Sequence, residues 1–315
     1  MKRRSFLAKS IIGGVGMTGI SKLQPVFGKP NEKLGKGKAL ITIGICTDLH
    51  HDLITDGEAR LQAFINEMNE LKPDFIIQMG DLCVPKLTNQ PLMDVWNQFK
   101  GDKYHVIGNH DVDGGFTQDQ VVSFWNAKDK YYSFDKNGYH FVVLNGNERP
   151  VGDTSKGYPR SITETQRNWL KQDIDSTKLP VIVFCHQGID NDMDGIKEGA
   201  MVRLVFERAN LKAGFKKVQL VLSGHNHEDY LNAYNNVHYL QMNSASYQFS
   251  HLKDNGYDFA LTKDPLWAVL TIYDNGTIHV KGKQSTYKAG EEKDWAPYAG
   301  YPTVPYISDR IINIG

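Results

Sequence analysis

Cysteine is scarce in this chain, with three in 315 residues: Cys46, Cys83 and Cys185. An odd, widely spaced trio excludes a disulfide framework as the source of stability. Neither sign of charge dominates, because 36 Lys and Arg balance 36 Asp and Glu. Without a basic cluster or an aromatic-basic stripe, nucleic-acid binding driven by the phosphate backbone lacks its electrostatic footprint. The pattern Gly-x-x-x-x-Gly-Lys-[Ser/Thr] is absent, which speaks against a nucleotide-triphosphate motor. There is no low-complexity run. What remains is an ordinary globular composition, 40% hydrophobic and 23% charged. The length suits one large domain or two small ones with a sizeable core.

The balanced charge is unevenly placed. Residues 1–28 carry Lys2, Arg3, Arg4, Lys9 and Lys22 and no acidic side chain, so the rest of the chain is net acidic. Lys2-Arg3-Arg4-Ser5-Phe6-Leu7, followed by the glycine-rich and weakly apolar Ile11–Ile20, resembles a twin-arginine export signal. The resemblance implies a signal peptide over 1–28, cleavage near Val26-Phe27-Gly28, and the twin-arginine translocase as a partner. It also implies an exported protein, periplasmic or otherwise extracytoplasmic; a cytoplasmic protein with a disordered basic N-terminus is the alternative. The apolar stretch is too short and too polar to span a bilayer. Gly14-Val15-Gly16-Met17-Thr18-Gly19 fits G-x-G-x-x-G, but a dinucleotide site needs a strand before it and a helix after it. Inside a charged leader it is a coincidence of glycine content.

From residue 39 onward, strand-like and helix-like segments alternate. Ala39–Ile45, Phe75–Met79, Tyr104–Ile107, Val181–Cys185 and Val218–Leu222 read as strands. Asp56–Leu71 reads as a helix, with Leu61, Phe64, Ile65, Met68 and Leu71 at helical spacing and Pro73 stopping it. Further helices are predicted over Pro91–Phe99, Thr117–Trp125 capped by Thr117, Thr163–Ile174 with a capping-box start at Thr163–Gln166, and Glu198–Leu211. Tyr131–Phe134 and Tyr139–Leu144 predict a hairpin. After His227 the helices stop, and Tyr230–Tyr234, Val237–Met242, Leu266–Tyr273 and Thr277–Lys281 predict an antiparallel meander.

Chemistry-bearing residues fall at the ends of the first group of strands. In order they are Asp48-Leu49-His50, Gly80-Asp81, Gly108-Asn109-His110-Asp111, His186 and Gly224-His225-Asn226-His227. Oxygen and imidazole donors delivered to one edge of a sheet are what a two-metal hydrolytic site needs. Any single piece is weak, and a lone buried histidine is usually a hydrogen-bonded core residue. The whole ordered series resembles the calcineurin-like metallophosphoesterases, with D-x-H, G-D, G-N-H-[DE], H and G-H-x-H all matched. The resemblance implies an α/β chain folded as a four-layer αββα sandwich, two mixed β-sheets flanked by helices. It places the metallophosphoesterase domain over 39–283, with 284–315 as a C-terminal extension packed on it.

The same resemblance assigns roles. Asp81 bridges two divalent transition metals, Mn²⁺, Fe²⁺ or Zn²⁺; Asp48, His50 and His227 bind the first, and Asn109, His186 and His225 the second. A hydroxide held between the ions attacks the phosphorus, while His110 protonates or stabilises the leaving oxygen with Asp111 orienting its ring. Asp48 and His50 are two apart, a spacing that on a strand end sends both side chains the same way. The expected reaction is hydrolysis of a mono- or diester of a small phosphorylated molecule. Nucleotide pyrophosphatases and nucleases on the same fold are the alternatives, and a non-catalytic scaffold is a further one, disfavoured by the complete ligand set.

Several features bound the carry-over. Cys83 stands two beyond Asp81 and no tyrosine follows closely, unlike the ferric branch of the purple acid phosphatases. Gln187 follows His186 where a proline is often found in the family. The three cysteines each lie within two residues of a motif ligand, yet buried structural thiols are the commoner reading. Arg149, Lys156 and Arg160 in the polar loop 146–160 are available for a second phosphate or a carboxylate. His51 is closest to the motif among the remaining histidines and is a second candidate for supporting the site.

Overall fold

Strand β1 (Ala39–Cys46) alternates Ile41, Ile43 and Ile45 on one face with Thr42, Gly44 and Cys46 on the other. That period of two lets one strand serve two apolar layers. The isoleucines enter the central core, while Cys46 joins a second core beneath the helices. The computed structural model describes residues 37–191, 194–251, 257–288 and 303–315. The export leader expected at 1–28, and the glycine fingerprint inside it, lie outside the described residues.

Two six-stranded sheets carry the fold. The first contains β1, β2 (Phe75–Gln78), β3 (Asp102–His105), β12 (Ala268–Tyr273), β13 (Thr277–Gly282) and β14 (Arg310–Asn313), ordered β14-β13-β12-β1-β2-β3. The β1–β2 and β2–β3 pairs are parallel, and β12 is antiparallel to β1. The second contains β4 (Tyr132–Lys136), β5 (Tyr139–Leu144), β6 (Val181–Cys185), β7 (Val218–Ser223), β8 (Tyr230–Tyr234) and β9 (Val237–Gln241), ordered β4-β5-β6-β7-β9-β8. Here β5, β6, β7 and β9 run parallel.

Helices α1 (Gly57–Leu71), α2 (Gln90–Trp96) and α3 (Gln118–Trp125) cover the first sheet; α4 (Glu164–Ser176) and α5 (Gly199–Ala213) cover the second. Three apolar layers therefore separate four structural layers. Phe75, Ile77, Phe141, Phe184, Leu220 and Leu222 fill the central one. Phe64, Ile65, Met68 and Trp96 fill the layer on one side, Leu170, Val202 and Phe206 the layer on the other. Emptying one such position, as in Phe64→Ala, costs about 3–5 kcal/mol through lost burial and the cavity left behind. Helix α1 ends where Lys72 takes φ 52°, its N–H donating to Met68 O, before Pro73 bars continuation.

Three expectations need correction. The strands after His227 do not form one meander. β9 lies parallel to β7 in the second sheet, whereas β12 pairs with β1 in the first. Alternating segments look alike locally, and which sheet receives them depends on distant partners. Between them runs a hairpin of β10 (Tyr247–His251) and β11 (Tyr257–Leu261), which the sequence pattern did not single out. The capping box at Thr163 does not form either. Gln166 turns inward, where its amide accepts from Asn145 N and donates to Asn145 O, locking α4 onto the second sheet. Thr117, by contrast, caps α3 with a reciprocal bond to Gln120. Third, β14 adds a strand to the edge of the first sheet from within the segment expected to pack as an extension.

Candidate metal centre

Parallel strands in both sheets point their carboxyl ends the same way, and the loops leaving β1, β2, β3, β6 and β7 converge. These loops carry Asp48 and His50, Asp81, Asn109 and His110, His186, and His225 and His227 respectively. The loop after β1 stays tied to the loop after β2: Asp48 N–H donates to Gly80 O, His50 N–H to Asp81 O and His51 N–H to Leu82 O. The sheet's ladder thus continues beyond the regular strands and fixes two donor loops against each other.

The backbone there is not extended. Asp48 (φ 55°), His50 (φ 51°), Asp81 (φ 52°), His225 (φ 75°) and His227 (φ 53°) all adopt the left-handed region. Strand pleat therefore does not explain why Asp48 and His50 share a side, contrary to the reading from their spacing. Each turns in through its own left-handed residue. Such conformations cost about 1–3 kcal/mol each and persist only where surrounding contacts over-determine them. Two glycines provide the closeness. A Cβ on Gly80 (φ 102°) would lie 2.4 Å from His186 Nδ1, and one on Gly108 would lie 2.1 Å from Asp81 Oδ1.

Side chains then form two adjoining groups. Asp48, His50 and His227 make one and Asp81, His186 and His225 the other, within each of which the ligand atoms lie no more than 4.8 Å apart. His50 Nε2 is 3.0 Å from His227 Nε2 and 3.6 Å from Asp81 Oδ2. His186 Nε2 is 3.1 Å from Asp81 Oδ2 and 3.8 Å from Asp48 Oδ1. Asn109 is buried, lines the same cleft, and has Oδ1 3.4 Å from Gln187 Nε2. His51 stays outside these groups, and so do the three buried cysteines. Burial pushes the Cys185 thiol up to about 12 and raises Cys46 and Cys83 as well, opposite to what thiolate ligation requires.

The donor set fits cations. His186 Nδ1–H donates to Met79 O at 2.8 Å and His227 Nδ1–H to Tyr247 O at 2.6 Å. With their Nδ1 protons committed to carbonyls, both rings turn Nε2 toward the Asp48 and Asp81 carboxylates. An imidazole nitrogen held this close to a carboxylate calls for positive charge between them, from a proton or a cation. Burial pushes His50 down to about 3 and His225 down to about 4. Burial would likewise lower His186, but Asp81 and Asp48 lift it to about 10. The imidazolium of His186 outweighs burial at both carboxylates, holding Asp48 near about 2 and Asp81 well below the usual range. The site thus holds a proton where a divalent cation would compete for the same nitrogen.

His110 differs from these donors. It joins His50 and Asp81 in a third close group, yet its side chain is 34% exposed while theirs are 1% exposed. Its ring is not oriented by Asp111. That carboxylate is buried and accepts four backbone N–H bonds, from Asp81, Leu82, Cys83 and Gly108. Burial and the Asp81 charge push the Asp111 carboxyl upward, while the four donors suit an anion. Asp111 therefore braces the loops that carry Asp81 and Asn109. The partner of His110 is Asp113, whose Oδ2 accepts from His110 Nδ1 at 2.7 Å. The 3-10 turn that opens at His110 breaks at Asp113 (φ -60°, ψ 152°), and the contact is made there, three residues on.

The donors open into a cleft of about 400 Å³, walled by Tyr158, Arg160, Asp194, Asn226 and Phe249. Arg160 pairs with Asp194 at 3.0 Å across two loops. Arg149 is turned elsewhere, to Asp153, Ser155 and Gly157 within its own loop. The sequence pattern carried no signal for Tyr158, Asp194 or Phe249, whose places depend on loop paths. Gln187 lay beside a motif histidine; its amide donates to Asn147 Oδ1 at 2.6 Å and so steadies the wall behind Asn109.

Comparison with known proteins agrees with this geometry. The calcineurin-like phosphoesterase family matches residues 41–229. A 3',5'-cyclic-nucleotide phosphodiesterase of Nostoc sp. (strain PCC 7120) is 26% identical over 279 residues, covering 82% of this chain and 95% of that protein. Among solved structures, a dimetal phosphatase from Danio rerio superposes with a TM-score of 0.63 at 13% identity, over 88% of this chain and 100% of the other. GAP50, the anchor in the inner membrane complex of Plasmodium, superposes with a TM-score of 0.56 at 17% identity, over 88% and 90%. With the ordered motif, the two-sheet fold and the clustered donors agreeing, the chain belongs to the calcineurin-like phosphoesterase family and is a metal-dependent phosphoester hydrolase.

Proposed function

We propose that the protein hydrolyses small phosphodiesters, with 3',5'-cyclic nucleotides as the substrate class to test first. The observation that carries this reading is the donor cluster at the floor of a cleft whose volume, about 400 Å³, suits a nucleotide-sized molecule. The Nostoc phosphodiesterase, aligned along nearly its whole length, supports the diester. Asp48, His50 and His227 would hold one divalent ion, Asn109, His186 and His225 the other, with Asp81 shared. Bound there, the two ions polarise the phosphoryl group and lower the pKa of water.

The chain's own residues do the rest. Asp113 keeps a proton on His110 Nδ1, so the ring nitrogen available to the leaving ester oxygen is Nε2. Phe249 stacks on the His227 ring at 4.2 Å between centroids, and Tyr247 lies 4.7 Å from it, shielding that ligand from solvent. Arg160 at the cleft wall meets the non-reacting part of the substrate. Oxygen and nitrogen donors with no thiolate favour Mn²⁺, Fe²⁺ or Zn²⁺. The metal-loaded protein should cleave 3',5'-cyclic AMP and bis(4-nitrophenyl) phosphate faster than 4-nitrophenyl phosphate. A tenfold or greater preference for the monoester would overturn the diester reading.

Export through the twin-arginine route is part of the same proposal, supported by Arg3-Arg4 ahead of Phe6-Leu7. A folded, metal-loaded enzyme is the cargo that route accepts. Changing both arginines to lysine should leave active protein inside the cell, as read by fractionation; unchanged export would refute it.

A further inference from the structure

Tyr158 lies in the loop between β5 and α4, outside every motif of the family, yet its hydroxyl ends beside His110. The phenol O–H donates to Asp113 Oδ1 at 2.9 Å, and its oxygen lies 3.1 Å from His110 Nδ1. Asp113 presents its other oxygen to the same Nδ1 at 2.7 Å. Three side chains thus close a ring: His110 Nδ1–H points at Asp113 and Tyr158, and Tyr158 O–H points at Asp113. The two aromatic rings are 5.1 Å apart between centroids.

The loop is built to present this phenol. Bonds from Ser161 N–H to Gly146 O and from Glu148 N–H to Ser161 O close its base. Arg149 ties its interior together through Gly157 O at 2.6 Å, Ser155 O at 3.0 Å and Asp153 Oδ2 at 3.0 Å. Beyond the tyrosine, Arg160 pairs with Asp194, and Lys197 N–H donates to Arg160 O. Tyr158 is therefore clamped from both sides. Asp113 alone, with a side chain 45% exposed, is a loose partner for a working imidazole. The phenol removes that looseness by occupying the second carboxylate oxygen.

We infer that Tyr158 is a positioning residue for His110, holding the ring so that Nε2 meets the ester oxygen that departs. The inference rests on the phosphoester hydrolase reading above, with His110 as the proton donor. It makes the loop carrying Arg160, which meets the substrate, also the loop that sets the histidine. Loss of the phenol O–H removes one hydrogen bond to a charged group without emptying a core position, so metal binding and folding are preserved.

The test compares Tyr158→Phe, His110→Asn and the double variant on two diesters that share one arm, thymidine 5'-(4-nitrophenyl) phosphate and thymidine 5'-phenyl phosphate. Tyr158→Phe should lower kcat about tenfold for the phenyl ester, the size of one lost charge-assisted hydrogen bond. The nitrophenyl ester, whose leaving group needs less protonation, should lose about threefold or less. KM, metal content and Tm should stay as in the parent. In the His110→Asn background the same change should do nothing further. Equal losses for both esters, a rise in KM alone, or a fully additive loss in the double variant would overturn the inference. A readout without turnover accompanies these: in histidine-labelled protein, the Nδ1 proton resonance that disappears in His110→Asn should broaden in Tyr158→Phe. An unchanged resonance refutes the positioning role by itself. A metal-loaded parent that cleaves neither ester overturns the hydrolase reading instead.

Discussion

The floor and the wall of the cleft are held in place by different means. Floor residues sit at the ends of parallel strands, are buried apart from the half-buried His225, and mostly turn inward on left-handed backbone between close-passing glycines. Wall residues Tyr158, Arg160 and Asp194 come from long loops and stay partly exposed. Arg160 (φ 46°) and Asp194 (φ 54°) share the left-handed backbone, but the two sheets hold the floor in place, whereas hydrogen bonds and ion pairs among polar side chains shape the wall. A rigid floor suits groups that must hold charge at fixed separations. An adjustable wall suits selection among substrates.

The sharpest way to break the contrast is to damage the floor. Asp81→Ala removes the carboxylate that the two ions would share, and elemental analysis should then find fewer than the roughly two metals per chain expected of a two-metal site. Activity should vanish with them. His110→Asn should keep both metals yet lower kcat roughly 10²-fold, within the range for a lost general acid. Gly80→Ala forces a Cβ to within 2.4 Å of His186 Nδ1 at φ 102°. Urea titration should show a loss of more than about 1 kcal/mol, with metal affinity falling too.

Damage to the wall should look different. Arg160→Gln should raise KM about tenfold while metal content and Tm stay put. A fall in bound metal would erase the distinction between wall and floor. The smallest effect expected lies far from both, at His140. Its ring donates to Asp135 at 2.6 Å and to Asp173 at 2.8 Å, which two nitrogens do together only when protonated. Burial opposes that charge, but the two carboxylates outweigh it and raise the His140 pKa above its usual value. Its stabilisation is then complete below the unfolded pKa and fades as pH rises through the folded one. Asp173→Asn should cost up to about 1 kcal/mol at pH 6 and less at pH 9 by urea denaturation.

Much of the floor was legible beforehand because its donors stand in fixed order next to strand ends and glycines. The cap that Thr117 places on α3 was legible for the same reason, being local. For Asp111 the sequence misleads, because adjacency in sequence is not adjacency of atoms. The neighbour's carboxylate points back into the loops, while Asp113, three residues along the turn, reaches the ring. The strands after His227 were recognised as strands but given the wrong partners, since alternation marks a face and not a neighbour.

The sequence by itself determined the family, the residues that converge on the cleft floor, the alternation that makes four layers, and the reaction class. Those depend on residue type and short-range order, which the chain carries directly. Tertiary structure decided the left-handed backbone that aims the donors, the carbonyls that set the tautomers of His186 and His227, and the meeting of Tyr158 with His110. Each joins residues far apart in the chain: 107 positions between His186 and Met79, 48 between Tyr158 and His110. Only the packing of one sheet against the other brings such pairs within hydrogen-bond distance.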